Sequence, residues 1–228
     1  MVTASRKFMI TKKVIRAEYM AQLKRPAEEL DRAYAACREE ALTRIEKSEL
    51  MTAALYIHSR QLYLYMESLE ETLRPESFMN ALHKHLALWP QGDDSVHWVK
   101  MTPVFWHAEP TSADEWRLSR PRQRRRGRIA LLKPDMLTEY VYHHFALTRE
   151  GVFKGDKYMF ISLYGNTLFS YFEEPRSSDN VLKTDTPSEA IKNWMEVDPD
   201  RHFLHLPGSN GQNFLLIDAC FDVGENDL

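Results

Sequence analysis

Three short stretches in the first half of this 228-residue chain recur, in the same order, in the second half. In one pair a lysine is followed at the same distance by a Glu-Tyr dipeptide, and in another the pattern Leu-aromatic-x-Tyr-x-Glu is repeated. The paired stretches are residues 12–23 with 133–144, 62–67 with 168–173, and 104–105 with 220–221. The repetition predicts two copies of one structural unit, and differences between the copies then indicate where a site is kept or lost.

The order of elements in the first half is predicted from the spacing of its apolar residues. An apolar run near residues 7–12 favours a strand, and apolar residues recurring at helical spacing favour a long helix over about 16–47. Residues 51–57 and 61–69 are typical of a hairpin. A second helix is predicted from Pro75 to about Leu88, and a closing strand over 96–106.

The second half repeats this order. Its elements are predicted as a strand over 128–132, a helix over 134–149, a hairpin of 157–163 and 167–173, a helix over 187–197 and a closing strand over 213–223. Each half therefore fits the split βαβ pattern of a ferredoxin-like unit, so the predicted fold class is α+β. Because such a unit leaves one sheet face uncovered, the two units are expected to pair, within one chain or in a homodimer.

Composition excludes several classes of protein. The net charge is −3, which gives no overall attraction to nucleic acid or to an anionic membrane. Cys37 and Cys220 have neither redox nor metal-ligand spacing, so no disulfide framework is expected, and we predict that both are buried small apolar residues. No stretch is predicted to act as a signal peptide or membrane span, so we expect a cytoplasmic protein without membrane or nucleic-acid partners.

An arginine-rich segment separates the halves. Seven of residues 117–128 are arginine, which suits either an arm that grips phosphates or a solvated linker. We interpret it as a linker, because no aromatic residue interleaves the arginines. The predicted organisation is a first repeat over 1–110, a linker over 111–127 and a second repeat over 128–228.

Candidate site residues concentrate in the second half. Tyr140 and His144 are four residues apart, so a helix places them on one face. Tyr158 adds a second phenol, and Trp194 adds an apolar platform. An imidazole, phenols and an indole are what a pocket for a neutral sugar uses. A helical His beside another His is also a common surface or packing residue.

Residues 128–223 resemble the L-rhamnose mutarotase family, small proteins of the dimeric α/β barrel class. The matching positions are Pro134, Asp135, Glu139, Tyr140, His144, Tyr158, Leu168, Phe169, Glu173, Trp194, Cys220 and Phe221. The chain departs from the family pattern at Thr148 and Asn193, where tryptophans are typical, and Met159 takes the strict place of the strand tyrosine. In the first half Tyr19 is matched to Tyr140, but Leu23 replaces His144, so that copy is expected to be structural.

The resemblance implies interconversion of the α and β anomers of an aldose such as L-rhamnose. His144, Tyr140 and Tyr158 would be catalytic, transferring protons to open and close the sugar ring. Trp194, His143 and Asp135 would contact the sugar. No metal, nucleotide or other cofactor is implied.

Two other functions remain open. The departures from the family pattern favour a non-catalytic sugar-binding or sensor protein built on the same barrel. An oxygenase or haem-related enzyme is a third alternative, with His144 as its axial ligand. Fold alone does not choose among these, because one architecture hosts unrelated functions.

Overall fold

The computed structural model describes residues 12–27, 30–91, 93–110, 112–116, 124–150, 156–174 and 187–228. Short 3₁₀ turns also occur, two of them at Pro75–Ser77 and Asn80–His85. The helices are α1 (Asp31–Glu46), α2 (Ala113–Trp116), α3 (Leu137–Glu150) and α4 (Glu189–Glu196). The strands are β1 (Ile15–Gln22), β2 (Leu50–His58), β3 (Gln61–Ser68), β4 (Trp89–Gln91), β5 (Asp94–Val96), β6 (Val99–Lys100), β7 (Thr102–Trp106), β8 (Arg124–Leu132), β9 (Phe160–Tyr164), β10 (Thr167–Glu174), β11 (Phe203–Leu204) and β12 (Leu215–Gly224).

Most strands belong to one antiparallel sheet that nearly closes on itself. Its order is β6-β1-β3-β2-β12-β8-β10-β9-β7. The end strands β6 and β7 are separated only by Met101, so one continuous stretch pairs with β1 at its start and with β9 at its end. The Met101 amide donates to the Glu18 carbonyl, 2.9 Å away. Closure of this kind leaves few unpaired strand edges.

The two halves contribute strands in the same order. If β6 and β7 are counted as one strand, the first half contributes four strands in the order β6/β7, β1, β3, β2. The second half contributes β12, β8, β10, β9. In both halves the fourth strand along the chain lies beside the first, followed by the third and the second, which is the order of a split βαβ unit. The halves join within the chain, where β2 pairs with β12 and β7 pairs with β9. The expected α+β architecture is therefore observed. The two units pair within the chain, which is one of the two arrangements that the sequence left open, whereas origin by duplication stays a prediction.

Among the described residues, three apolar clusters form the core. One lies between α1 and the outer face of the first half's strands, a second fills the barrel, and a third lies beneath α3 and α4 on the second half's outer face. Strand alternation explains this division, because successive side chains point to opposite faces of the sheet. In the described ranges no helix has the length and apolar character that a bilayer crossing needs.

The repeated Leu-aromatic-x-Tyr-x-Glu stretches meet inside the barrel. Tyr65 of β3 and Tyr171 of β10 stack face to face, with ring centroids 3.6 Å apart and planes 4° from parallel. Their hydroxyls donate to Glu67 and Glu173, at 2.7 Å and 2.6 Å respectively. These two stretches are therefore structurally equivalent as well as similar in sequence.

The other long echo is not a structural equivalence. Tyr19 lies in strand β1, whereas Tyr140 lies in helix α3, so the match of Tyr19 to Tyr140 was wrong. The registers of β1 with β3 and of β8 with β10 instead place Tyr19 opposite Leu64 and Arg128 opposite Ser170. Tyr19 thus corresponds to Arg128, because residues 64 and 170 occupy the same place in the repeated stretch.

Residues 16–22 form part of a strand, not the start of the predicted helix. Their Ala, Glu and Arg content favours a helix, but Ala17, Tyr19 and Ala21 are buried in the cluster under α1 while Met20 is buried in the barrel. Burial on both faces and pairing with β3 override the local preference. The strand predicted over 7–12 falls almost entirely outside the described residues.

Two further boundaries differ from the prediction. The segment after Pro75 forms two 3₁₀ turns and not the predicted helix, and the chain becomes extended at Leu86. There Ala87 donates to the Gln22 carbonyl at 2.8 Å, which a continuing helix would not allow. Strand β8 begins at Arg124, so the last residues assigned to the linker belong to the barrel, while residues 117–123 lie outside the described part.

Candidate functional site

Helices α3 and α4 bring four of the predicted site residues together. The buried residues of α3 are Tyr140, His143, His144 and Leu147, which follow the spacing of one helix face and point toward the sheet. Tyr140 and His144 stack with ring centroids 3.8 Å apart. Trp194 of α4 lies across them, 5.8 Å from Tyr140, 4.8 Å from His144 and 5.5 Å from His143. We call Tyr140, His143, His144 and Trp194 the aromatic cluster.

His202 adjoins the aromatic cluster, although it was not among the residues predicted from the sequence. Its ring is fully buried, 4.9 Å from Trp194. Its Nε2 atom lies 3.1 Å from the Glu139 carboxylate without the alignment of a hydrogen bond, and Glu139 forms an ion pair with Arg201. No local sequence signal marks His202, because the turn that carries it meets α3 only in the folded chain.

Burial decides the protonation of the aromatic cluster. It lowers the pKa of His144 to about 4, although the hydrogen bond between His144 Nδ1 and the Tyr140 carbonyl, at 2.9 Å, opposes the shift. Burial raises the pKa of Tyr140, while the charge of Arg128 opposes that shift. At neutral pH both rings are uncharged. The pKa near neutrality that was predicted for His144 from the sequence is therefore wrong. With a proton on Nδ1, the Nε2 atom of His144 is the acceptor.

Tyr158 and Asp135 lie elsewhere. Tyr158 belongs to the cluster inside the barrel, where its hydroxyl donates to the Trp116 carbonyl at 2.9 Å. Asp135 lies exposed on the 3₁₀ turn before α3. Two predicted site residues are therefore not part of the aromatic cluster, because the sheet separates Tyr158 from α3 and the turn directs Asp135 to solvent.

A groove of about 470 Å³ opens on the same outer face of the second half. At its base Arg128 lies between two rings, 4.3 Å from the centroid of Phe214 and 5.2 Å from that of Phe172. Arg128 Nε donates to the Ser170 hydroxyl at 3.3 Å. We call this space the outer groove, and it is lined by Arg128, Phe172, Glu174, Gln212, Asn213, Phe214 and Leu216.

The outer groove and the aromatic cluster are neighbours. Phe214 contacts Phe203, with ring centroids 5.9 Å apart, and Phe203 contacts Tyr140 at 5.7 Å. On the groove wall, Asn213 is oriented by its amide, which donates to Asp200 at 2.6 Å. A polar side chain held in this way needs little further ordering when it meets a ligand.

The corresponding face of the first half is filled. Tyr19 stands where Arg128 stands in the second half, and Met66 stands where Phe172 does. Both are buried in the apolar cluster beneath α1. Of these two pairs of equivalent positions, only the pair in the second half lines a groove.

Comparisons with known proteins show little. No protein-family model and no curated protein matches the chain. A candidate monooxygenase from Lactobacillus acidophilus aligns over 92% of this chain and 96% of its own, with 8% identity and a TM-score of 0.47. A chlorite dismutase from Candidatus Nitrospira defluvii, in complex with imidazole, aligns over 92% and 91%, with 14% identity and a TM-score of 0.36. Likenesses this weak support no inference about function.

The described residues also bear on metal binding. Among them no group of three or more His, Cys, Asp or Glu side chains is arranged to hold an ion. The histidines of α3 instead make contacts with aromatic rings.

Proposed function

We propose that this chain binds a neutral, sugar-like small molecule in the outer groove of its second half. The observation that carries the proposal is the lining of the outer groove, which combines one positive charge, one negative charge and neutral hydrogen-bonding groups. Arg128 and Glu174 have opposite charges, and the amide of Gln212 offers a donor and an acceptor beside Asn213, whose amide is fixed by Asp200 and His205. Such a lining matches a ligand with many hydroxyl groups, which both donate and accept hydrogen bonds.

The shape and surroundings of the outer groove also favour a small ligand. Its volume lies within the range of small-molecule sites, which is roughly 300–1,000 Å³. Phe172, Phe214 and Leu216 supply apolar surface beside the polar groups, as the two faces of a sugar ring require. The alternative of a sugar-binding or sensor protein of the dimeric α/β barrel class is therefore our first choice.

Mutarotase-like activity is the second candidate, because four predicted residues do form one cluster beside the outer groove. In ring opening, the anomeric hydroxyl would give its proton to His144 Nε2 and become the aldehyde oxygen, while the bond between C1 and the ring oxygen breaks and Tyr140 gives its proton to that oxygen. Closure would return both protons. We rank this second because His144 is buried and its low pKa makes it a weak base at neutral pH.

Saturation-transfer NMR with L-rhamnose and a panel of other aldoses tests both candidates. Binding predicts saturation transfer to at least one sugar. Titration of that sugar should show that Arg128→Gln raises the Kd about tenfold, which corresponds to about 1.4 kcal/mol. Arg60→Gln is the matched control, because Arg60 is exposed at the hairpin tip of the first half. It should leave transfer unchanged.

Exchange between anomeric signals in the same spectra separates enzyme from binder. Faster exchange that disappears in His144→Ala would establish mutarotation. Transfer without faster exchange supports the binding protein. If no sugar receives saturation, or if both arginine variants weaken transfer equally, the proposed groove is wrong.

A further inference from the structure

Two tyrosine rings, one from each half, stack inside the barrel. Tyr65 of β3 and Tyr171 of β10 have their centroids 3.6 Å apart and their planes 4° from parallel, and both are fully buried. A centroid distance so close to van der Waals contact leaves little sideways offset between the rings. For two neutral rings this face-to-face stack is less favourable than an offset one. We call Tyr65 and Tyr171 the tyrosine pair.

Each hydroxyl of the tyrosine pair donates to a buried carboxyl group. Tyr65 donates to Glu67 at 2.7 Å, and Tyr171 donates to Glu173 at 2.6 Å. Both glutamates are almost completely shielded from solvent. The two distances lie in the range of about 2.5–2.7 Å that is found when a hydroxyl donates to a carboxylate. A proton can therefore pass from each ring oxygen to a carboxylate along a hydrogen bond that already exists.

These two features stabilise a ring that has lost one electron. A phenol that loses an electron becomes a strong acid, so it keeps the resulting radical only where a base accepts its proton. A face-to-face stack also lowers the energy of the oxidised state, because the two rings share the missing electron. Tyr63, another buried ring of the barrel, donates instead to the neutral amide of Gln61 at 2.8 Å, which is a much weaker proton acceptor.

Neighbouring cations favour Tyr171 over Tyr65 as the site of the radical. Each ring has one glutamate, so the difference lies in the arginines. Arg16 Nε donates to the Tyr65 hydroxyl oxygen at 3.0 Å, and a cation at this place opposes the loss of an electron. The charge of Arg125 also acts on Tyr171, but Arg125 forms ion pairs with two aspartates.

Trp116 is a further oxidisable ring beside the tyrosine pair. Its Nε1 atom donates to Glu67 at 2.9 Å. The Lys157 ammonium lies 4.8 Å from the centroid of the Trp116 ring, and the Arg16 guanidinium lies 5.2 Å from it. Cations over an aromatic face are attracted to its π electrons and oppose their removal. A missing electron is therefore more stable on the tyrosine pair than on Trp116.

A row of rings connects the tyrosine pair to the surface. The Phe160 centroid lies 6.2 Å from that of Tyr65 and 6.2 Å from that of Trp106. Trp106 is partly exposed, so it is accessible to an oxidant in solution. Electrons can tunnel between rings at these separations.

We propose that the tyrosine pair is a redox site that holds one oxidising equivalent as a radical on Tyr171. A one-electron oxidant of the peroxyl-radical or oxidised-metal-complex class takes an electron from Trp106, and an electron from Tyr171 replaces it. The O–H bond of Tyr171 breaks, its proton passes to the Glu173 carboxylate, and a neutral tyrosyl radical remains beside a carboxylic acid. A thiol or ascorbate returns the electron, and the proton moves back.

This site lies inside the barrel, and the sheet separates it from the outer groove. The proposal therefore does not depend on the function proposed for the outer groove.

Flash photolysis of the full chain with tris(bipyridine)ruthenium(II) and persulfate tests the proposal. Time-resolved absorbance and freeze-quench electron paramagnetic resonance measure the yield and the lifetime of the tyrosyl radical. We expect a long-lived radical whose lifetime falls severalfold in Tyr171→Phe, which keeps the stacked ring. Glu173→Gln should shorten the lifetime as well, because it keeps a hydrogen-bond acceptor but removes the base.

Tyr63→Phe is the matched control, because it removes the hydroxyl of a buried barrel tyrosine that has no role in the proposal. It should leave both yield and lifetime unchanged. Trp106→Phe should lower the yield but not the lifetime, and an unchanged yield would overturn the route through Trp106.

Two results would overturn the redox site itself. One is an unchanged lifetime in Tyr171→Phe, and the other is an equal shortening in Tyr63→Phe. Thermal midpoints show whether each variant folds. If Glu173→Gln does not fold, Tyr171→Phe and its Tyr63→Phe control decide the outcome.

Discussion

At the scale of single residues, Glu18 stands out. It is fully buried inside the barrel, and neither carboxyl oxygen has a hydrogen-bond partner among the described residues. Burial raises the pKa of Glu18 well above its usual value, although Ser162 and the charge of Arg16 oppose the shift. Glu18 is therefore protonated under conditions where an exposed carboxyl is ionised.

We expect Glu18→Gln to stabilise the protein at neutral pH. Once the pH exceeds the ordinary carboxyl pKa, the unfolded state releases this proton while the folded state keeps it. The free energy of unfolding then falls by about 1.4 kcal/mol per pH unit until Glu18 itself ionises. Urea unfolding from pH 4 to pH 8 should show the variant gaining stability over wild type as pH rises.

Glu46→Gln is the control, because Glu46 is exposed near the end of α1. It should change stability little at any pH. A constant difference between Glu18→Gln and wild type at every pH would show that the Glu18 proton does not contribute to the pH dependence.

At the scale of elements, strand β8 lies so close to the ring of Tyr56 that Gly127 has no room for a side chain. A Cβ atom at Gly127 would lie 2.7–2.9 Å from three ring carbons of Tyr56. Gly127 corresponds by register to Glu18 of β1. In β8 of the second half, the ring of Tyr56 thus lies over Gly127. At the equivalent place in β1 of the first half, the chain carries the carboxyl group of Glu18.

Gly127→Ala is expected to destabilise the protein by about 1–3 kcal/mol, because the added methyl group must displace a buried ring. Equilibrium unfolding measures the loss. In a Tyr56→Ala background the same substitution should cost much less, because the clash is gone. An equal cost in both backgrounds would locate the strain elsewhere.

Element prediction from sequence succeeded where a pattern is local. The hairpin of β2 and β3 and the helix α3 were predicted nearly to their ends. Strand β1 and the turns after Pro75 were not, because their conformations depend on pairing with distant segments. For the site, helical spacing correctly grouped Tyr140 with His144, but it did not identify Arg128, His202 or Phe214.

At the scale of the whole molecule, the two halves share one core. Strand pairs join them at two places, and the Tyr65–Tyr171 stack links them through the barrel. Neither half buries its inner sheet face without the other. This arrangement favours a single cooperative unfolding transition.

A double-mutant cycle measures the link through the barrel. Tyr65→Leu and Tyr171→Leu should couple by about 0.5–1.5 kcal/mol, the range for aromatic pairs. Tyr19→Leu with Tyr171→Leu is the control pair, because Tyr19 lies in the separate cluster beneath α1. These two changes should be additive within about 0.5 kcal/mol. Equal coupling in both cycles would mean that the stack has no specific role.

The sequence by itself determined features that depend on residues close together in the chain: the two hairpins, helix α3, and the repeated Tyr and Glu positions. Tertiary structure alone decided how the strands pair, which face each side chain occupies, and the low pKa of His144. It also assembled the outer groove from β8, β10, β12 and the segment before β12. The physical reason is that burial and strand register arise from contacts between distant segments, which local spacing does not encode.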